Sequence, residues 1–120
     1  MKYKGMVVYL SGPITGVPDY KENFAAAGQK LLDMGCVVIN PAEMDHVIKA
    51  ANGVPDGVYM NADIRMLEAA NAIALLPGWE KSKGAQAEWK KAVRLGKHEI
   101  VIRQTEDDKE LTAECETIEL

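Results

Sequence analysis

Long apolar runs, cysteines at metal-binding spacing and internal repeats are all missing from this sequence of 120 residues. No apolar stretch approaches the roughly 18 residues that a membrane-spanning helix needs. The start, residues 1–5, is too short and too polar for a signal peptide. The length suits one domain with a single hydrophobic core. We therefore expect a one-domain cytoplasmic protein that does not contact a membrane.

Cysteine is scarce, and its positions argue against a metal site. Cys36 and Cys115 are the two cysteines, and they do not stand at a metal-ligand spacing. Cys36 directly precedes the apolar segment 37–39, which favours a buried free thiol over a disulfide. We therefore expect neither a metal ion nor a disulfide.

A strong basic excess, which nucleic-acid grooves usually show, is also absent. The net charge is −4, and residues 104–120 hold seven acidic residues and one lysine, so residues 1–103 carry about +2. We expect no nucleic-acid polymer as a partner, whereas a small anion needs only a few local charges or a helix N-terminus. Residues 104–120 are predicted to form an acidic tail, helical or partly disordered, with a regulatory or partner-binding role as the alternative.

Four short apolar segments alternate with stretches of helical periodicity over residues 1–103. Segments that are apolar throughout are typical of strands in a parallel sheet covered on both faces. The predicted strands lie at 6–10, 37–39, 72–76 and 100–102, and the predicted helices at about 19–34, 58–69 and 83–95. Residues 1–103 are therefore predicted to form one α/β domain with helices on both sides of the sheet.

Local signals mark the ends of the helices and the position of a loop. Asp19 and Glu22 have the spacing of a capping box at the start of the first helix. Gly35 and Gly96 are expected to end the first and third helices. The polar stretch 42–57 predicts a partly helical loop, which is the natural candidate for a lid.

A parallel α/β sheet binds ligands at the carboxyl ends of its strands. In this chain those ends are Ser11-Gly12-Pro13, Asn40-Pro41 and Pro77-Gly78-Trp79. The alternation of strands and helices therefore predicts the location of a pocket independently of any family.

Two carboxylates stand on the apolar faces of predicted helices. Glu88 interrupts the apolar stripe of the third helix, which consists of Ala85, Trp89, Ala92, Val93 and Gly96. Asp63 interrupts the apolar face of the second helix, defined by Met60, Ile64 and Leu67. Glu88 could instead lie at the rim of its stripe, and Asp63 could simply complement the helix dipole. Their joint occurrence favours a catalytic pair, because glycosidic-bond chemistry uses one carboxylate as nucleophile or base and another as proton donor.

Three further side chains have both a functional and a structural explanation. Tyr9 could hydrogen-bond a carboxylate in the pocket, or be a core tyrosine with its hydroxyl at the rim. Ser82 is a natural N-cap for the third helix, and with Lys83 and Gly84 it could also hold a phosphate. Trp79 could stack on a base or cover the end of the sheet.

Three segments together resemble a known family. Residues 9–16 read Tyr-Leu-Ser-Gly-Pro-Ile-Thr-Gly, residues 40–42 read Asn-Pro-Ala, and residues 76–88 read Leu-Pro-Gly-Trp-Glu-x-Ser-x-Gly-Ala-x-x-Glu. Over about residues 6–103 this pattern resembles a small, often phage-associated family of unassigned function, the DUF4406 type. That family is similar to the nucleoside 2-deoxyribosyltransferases and the 2′-deoxynucleoside 5′-phosphate N-hydrolases. The resemblance implies a flavodoxin-like α/β/α sandwich with a mainly parallel sheet of four to five strands, usually dimeric, with an active site completed by the neighbouring subunit.

The resemblance also implies roles for individual residues. Glu88 corresponds to the nucleophile that attacks C1′ of the deoxyribose, Asp63 to the aspartate that handles the proton at the base or the 3′-hydroxyl region, and Tyr9 to the tyrosine that orients the nucleophile. Ser82 stands where the transferases have an aspartate for the free 5′-hydroxyl and the N-hydrolases a serine for a 5′-phosphate. A 5′-monophosphate is therefore expected. Substrate contacts are expected from Ser11, Gly12, Pro13, Ile14, Trp79, Ser82 and Gly84.

Three positions depart from the related families. Pro13 and Thr15 stand where the N-hydrolases carry a serine and an arginine that also serve the phosphate. Asn71 stands before the third strand, where an acidic residue is common. These departures bear on the phosphate preference and on activity itself.

The residues and the resemblance together yield a mechanistic hypothesis. Glu88 displaces the base from a deoxynucleotide or deoxynucleoside while Asp63 assists protonation of that base, and water or a second base resolves the covalent intermediate. This chemistry needs no cofactor. The alternatives are a nucleotide-binding module without turnover, and a hydrolase of a nucleotide- or NAD-derived signal. We expect the active form to be a homodimer or higher homo-oligomer.

Overall fold

The computed structural model describes residues 3–46, 56–104 and 110–115, with side chains at 3–43, 61–104 and 110–115. Three α-helices, five strands and two short 3₁₀ segments make up this part of the chain. In order they are β1 Val7–Ser11, α1 Tyr20–Asp33, β2 Val37–Ile39, a 3₁₀ segment Pro41–His46, α2 Asp56–Ala69, β3 Ala72–Leu75, a 3₁₀ segment Trp79–Lys81, α3 Lys83–Arg94, β4 His98–Gln104 and β5 Leu111–Cys115.

The five strands form one sheet in the order β2-β1-β3-β4-β5. β1 is parallel to β2 and to β3, β3 is parallel to β4, and β5 is antiparallel to β4. This order is that of the flavodoxin-like doubly wound sheet, in which ligands bind beside the first strand, where the strand order reverses. The predicted α/β class and the mainly parallel sheet are confirmed.

Helices cover the sheet on both faces, with α1 on one face and α2 and α3 on the other. Side chains that alternate along β1 contact both layers. Val8 and Leu10 pack in the core on the α1 side, with Phe24 and Leu31. Tyr9 points to the other face, where it packs in a second core with residues of α2 and α3 such as Leu67 and Trp89. Because successive strand residues face opposite sides of a sheet, Ser11 lies on the same face as Tyr9.

β2 was expected to be buried, and this expectation is wrong. Among the described strands, β2 lies at the edge of the sheet and pairs only with β1. The side chain of Val37 is 53% exposed, and those of Val38 and Ile39 are half-buried. Three apolar residues in a row indicate a strand, but they do not reveal how many neighbours the strand has.

The predicted capping box at the start of α1 does not form. Asp19 occupies the N-cap position, but its side chain makes no capping hydrogen bond. Its backbone has φ −102° and ψ 27°, rather than the extended conformation that directs an N-cap side chain at the first free amides. The predicted end of the helix is confirmed, since Gly35 follows α1 with a left-handed φ of 90°.

The acidic tail contains a strand where a helix or disorder was expected. In β5, Ala113 is buried, Leu111 and Cys115 are half-buried, and Thr112 and Glu114 are exposed. This alternation with period two is the signature of a half-buried strand, and the abundance of acidic residues obscured it. Most of the predicted lid (47–55) and the tail positions 105–109 and 116–120 lie outside the described residues.

Two smaller predictions can also be compared with the structure. Cys36 is buried with a free thiol, as predicted, and Cys115 is also free. In the part of the chain that the structure describes, no helix has the length and apolar character needed to cross a membrane.

Two buried glycines predict opposite effects of an added methyl group. At Gly12, a Cβ atom would lie 2.7 Å from Cβ of Leu76, so the first turn and the end of β3 would have to separate. We expect Gly12→Ala to lower the free energy of unfolding by about 1–3 kcal/mol. At Gly28 in α1, the nearest atom would be Leu10 Cδ1 at 3.5 Å, an ordinary contact. Because alanine is the better helix former, Gly28→Ala should stabilise the protein by about 0.5–1 kcal/mol.

Thermal or urea unfolding followed by circular dichroism checks both values. Gly28→Ala is the matched control, since it adds the same methyl group to the same domain where space exists. A Gly12→Ala protein as stable as the wild type would contradict the close packing of the first turn on β3.

Candidate active site

Glu88 lies on the face of α3 that packs against the sheet. The buried residues of this helix are Ala85, Glu88, Trp89 and Ala92. The inward position that helical spacing predicted for Glu88 is therefore confirmed, and the side chain is only 7% exposed. Val93, which was predicted to belong to the same stripe, is 46% exposed, so the buried face is narrower than expected.

Both carboxylate oxygens of Glu88 accept hydrogen bonds from β1. The Tyr9 hydroxyl donates to Oε2, and the Ser11 hydroxyl donates to Oε1 at 2.7 Å. Tyr9 and Ser11 are themselves buried, at 0% and 1% exposure. Alternation along β1 brings these two donors to one face, two residues apart, opposite the helix that carries the carboxylate.

Burial raises the pKa of Glu88, because the charged form loses its hydration. The hydrogen bonds from Tyr9 and Ser11 act in the opposite direction, and the charge of Asp63 adds to the rise, so that the pKa is about 7. Burial and the neighbouring Glu88 raise the pKa of Tyr9 far above its ordinary value, which keeps its hydroxyl protonated as a donor. Glu88 therefore exchanges a proton near neutral pH.

Asp63 supplies a second carboxyl group beside Glu88. It lies on α2, its side chain is half-buried, and burial raises its pKa. Its charge acts on both Glu88 and Tyr9. Two carboxyl groups with raised pKa values beside one cavity are a common feature of sites that move protons.

A cavity of about 800 Å³ opens in front of the two carboxylates. This volume is in the range of sites for small molecules. One wall is the loop after β1, and the other is the start of α3 with the turn before it. The lining residues are Gly12, Pro13, Ile14, Thr15, Val17, Asp63, Gly78, Lys81, Ser82, Lys83, Gly84, Ala85 and Glu88.

The residues predicted from the sequence separate into three groups. Those that line the cavity are Gly12, Pro13, Ile14, Asp63, Ser82, Gly84 and Glu88. Tyr9 and Ser11 lie behind Glu88 and contact its carboxylate. Trp79 is not among the described residues that line the cavity, and its ring packs against Trp89 at a centroid distance of 5.3 Å. The structure thus favours a packing role for Trp79 over stacking on a base.

Ser82 combines the two roles that were considered for it. Its Oγ accepts a hydrogen bond from the backbone amide of Ala85 at 3.2 Å, which makes it the N-cap of α3. The same residue lines the cavity. A hydroxyl that accepts one hydrogen bond still has a hydrogen to donate, so capping and ligand contact are compatible.

Two residues that line the cavity, Val17 and Lys81, were not predicted from the sequence. The position of Lys81 directly before the N-cap serine was the available signal, and Lys83, which was considered together with Ser82, also lines the cavity. Asn71 directly precedes β3, so it lies at the opposite end of the strands from the cavity. Its Oδ1 accepts a hydrogen bond there from the backbone amide of Val7 at 2.8 Å. Asn71 therefore has a structural function away from the cavity.

Comparisons with known proteins agree with this picture at the level of family and fold. A comparison with functionally curated proteins finds no match. Among solved structures, the fold is similar to that of a 2-desoxiribosyltransferase from Leishmania mexicana, with a TM-score of 0.60 and 20% sequence identity. The match covers 83% of this chain and 65% of that protein, so the chain spans slightly less than two thirds of its length. The family model described as "Domain of unknown function (DUF4406)" matches residues 6–101, and the chain belongs to this family.

Proposed function

We propose that this protein cleaves the N-glycosidic bond of a 2′-deoxynucleoside 5′-monophosphate or a deoxynucleoside through a covalent intermediate on Glu88. One observation carries the proposal: Glu88 is a buried carboxylate, bound by two hydroxyl donors, that faces a cavity together with Asp63. A protein that only binds nucleotides has no reason to place two carboxylates beside an anionic ligand. The fold shared with a 2-desoxiribosyltransferase supports the same chemistry.

In the first step, an ionised oxygen of Glu88 attacks C1′ of the deoxyribose. The bond between C1′ and the base nitrogen breaks, and its electron pair leaves with the base while an ester forms between Glu88 and C1′. Asp63 donates a proton to the departing base. Burial raises the pKa of Asp63, and a raised pKa is the usual adjustment of a carboxyl group that acts as a general acid.

In the second step, an acceptor attacks C1′ and releases Glu88 as a carboxylate. If water is the acceptor, the enzyme is a hydrolase and Asp63 accepts the proton of the water. If a nitrogen of a second base is the acceptor, its N–H proton passes to Asp63 and the enzyme is a base transferase. Both outcomes share the first step, and both proceed with retention of configuration at C1′ because two displacements occur.

Charges at the start of α3 support a 5′-phosphate on the substrate. Lys81 and Lys83 line the cavity together with Ser82 and Gly84. The N-terminus of a helix presents free backbone amides and a positive dipole to anions. These groups offset the charges of the two carboxylates. They also supply contacts to the phosphate, which Pro13 and Thr15 do not supply, since these two residues stand where the N-hydrolases carry a serine and an arginine.

A single substitution separates the phosphate role of Ser82 from its capping role. We expect Ser82→Asp to raise the KM for a deoxynucleoside monophosphate by about tenfold to a hundredfold, because a carboxylate then faces the phosphate dianion. The KM for the free deoxynucleoside should stay within about threefold of the wild-type value, a difference of under 1 kcal/mol. Aspartate is as good an N-cap as serine, so α3 should keep its stability.

Ser82→Asn is the matched control, because asparagine caps the helix without adding charge. It should behave like the wild type toward the free nucleoside and lose much less activity toward the monophosphate than Ser82→Asp does. Equal KM values for the monophosphate in the wild type and in Ser82→Asp would contradict the placement of the phosphate at the start of α3.

The proposed reaction is tested by chromatography of a panel of nucleosides and nucleotides incubated with the protein, with and without an acceptor base. We expect release of free base from 2′-deoxy substrates. Nucleotides that raise the melting temperature without release of base from any substrate would contradict catalysis and favour the nucleotide-binding alternative.

The oligomeric state is part of the proposal. Ile14 lies at the wall of the cavity and is 41% exposed, which suits a site that a second protomer completes. We therefore expect a homodimer or a higher homo-oligomer by light scattering coupled to size-exclusion chromatography.

A further inference from the structure

We propose that Ser11 is a positioning residue, which fixes the carboxylate of Glu88 for attack instead of contacting the substrate. The catalytic part of this inference rests on the proposed function, whereas the effect on Glu88 itself does not. Ser11 was expected from the sequence to bind substrate. Its hydroxyl is instead committed to Glu88 Oε1 at 2.7 Å, and the residue is 1% exposed.

The backbone of Ser11 is held in the interior of the sheet. Ser11 pairs with Leu75 of the parallel neighbour β3, and its carbonyl oxygen accepts a hydrogen bond from the amide of Leu76 at 2.9 Å. The hydroxyl therefore projects from a rigid strand, and a substrate in the cavity would meet Glu88 before it met Ser11.

Two hydrogen-bond donors on the two oxygens of Glu88 fix the orientation of its carboxylate, whereas one donor would not. The terminal torsion of a glutamate is broad, so a carboxylate bound through one oxygen can still rotate about its last carbon–carbon bond. Tyr9 binds Oε2 and Ser11 binds Oε1, and together they define the plane of the carboxylate. Attack at C1′ needs an oxygen in a defined direction, and such positioning contributes substantially to rates.

The Ser11 hydroxyl also favours the ionised form of Glu88, which is the nucleophilic form. The groups that face Glu88 are Tyr9 from β1 and Asp63 from α2, with Lys81 and Lys83 lining the same cavity at the start of α3. Burial and the charge of Asp63 favour protonation, whereas the hydrogen bonds from Tyr9 and Ser11 lower the pKa. Loss of Ser11 should therefore leave more of the enzyme protonated at neutral pH.

The test is Ser11→Ala, measured in two independent ways. Infrared difference titration, with Glu88→Gln as the reference that lacks the carboxylate, should show the ionisation midpoint of Glu88 moved upward by about one pH unit. In steady-state kinetics, kcat at pH 7 should fall about tenfold while KM stays within about twofold. The acid limb of the pH profile of kcat should move upward by about one pH unit, which is the shift expected for the ionisation midpoint. A merely structural role would not move the midpoint.

Ser11→Thr keeps the hydroxyl and should restore the midpoint to near the wild-type value. An unchanged midpoint in a folded Ser11→Ala protein would overturn the inference, and so would a KM that rises while kcat is retained. If the midpoint moves but no variant or wild-type protein releases base, the proposed function fails and the effect of Ser11 on Glu88 stands. If base is released with an unchanged midpoint, the positioning inference alone fails.

Discussion

Replacement of Glu88 by glutamine is expected to reduce base release by at least about a thousandfold in kcat, since an amide is a far weaker nucleophile than a carboxylate. Glutamine has the same shape, and it can still accept a hydrogen bond from Tyr9 and form one with Ser11. The loss should therefore be chemical and not structural. Released base is measured by chromatography. The assay of Glu88→Gln uses far more enzyme than the wild-type assay, so that a thousandfold lower rate can still be detected.

The same substitution should leave the protein folded and, above pH 7, more stable than the wild type. Because the pKa of Glu88 is raised from 4.5 to about 7 in the folded state, the folded protein binds more protons than the unfolded chain between these values. The free energy of unfolding therefore falls as the pH rises through this window. Glutamine removes this effect, so Glu88→Gln should be stabilised relative to the wild type at pH 8, on the order of 1–3 kcal/mol, and the difference should shrink toward pH 4.5.

Glu80→Gln is the matched control for this experiment. Glu80 lies in the turn before α3 and is exposed, so the same chemical change there should not alter base release. Turnover by Glu88→Gln at a rate near that of the wild type would refute the role of Glu88.

Replacement of Asp63 by asparagine should produce two effects of different kinds. The loss of a proton donor should lower kcat by about a hundredfold to ten-thousandfold. The acid limb of kcat/KM, expected near pH 7 in the wild type, should move to lower pH. The reason is that the negative charge of Asp63 raises the pKa of Glu88, and asparagine carries no such charge. A pH series of kcat and of kcat/KM for both proteins measures the two effects.

Glu68→Gln is the control on the same helix. Glu68 is half-buried at the side chain and pairs with Arg65 at 3.3 Å, a surface interaction of small energy. Removing its charge should change neither kcat nor the acid limb. An acid limb that stays in place, or moves upward, in Asp63→Asn would show that Asp63 and Glu88 are not electrostatically coupled as the structure places them.

Much of the fold could be predicted because four of the five described strands contain a continuous apolar segment and because α1 and α3 are followed by glycine. The segments at 72–76 and 100–102 became β3 and the centre of β4, and Gly35 ends α1. The pairing of the strands could not be predicted in this way. β2 is partly exposed because it lies at the edge of the sheet, and its own sequence does not reveal that position. β5 was missed because its alternating residues are few and the acidic side chains around them dominate the composition.

The candidate site was predictable to the extent that it depends on spacing along one element. The inward position of Glu88 follows from its place between Ala85 and Trp89 on one helix. The contact between Ser11 and Glu88 joins two elements, and spacing along either one does not reveal it. The same holds for Trp79, because only the packed structure shows that its ring meets Trp89.

Peptide mass mapping of the enzyme, quenched in acid during turnover of a deoxynucleoside monophosphate, tests the nucleophilic role of Glu88 most directly. We predict a deoxyribosyl phosphate adduct on the peptide that contains Glu88, and no adduct in the Glu88→Gln protein treated in the same way. An adduct on a different residue, or rapid base release by the Glu88→Gln protein, would contradict it.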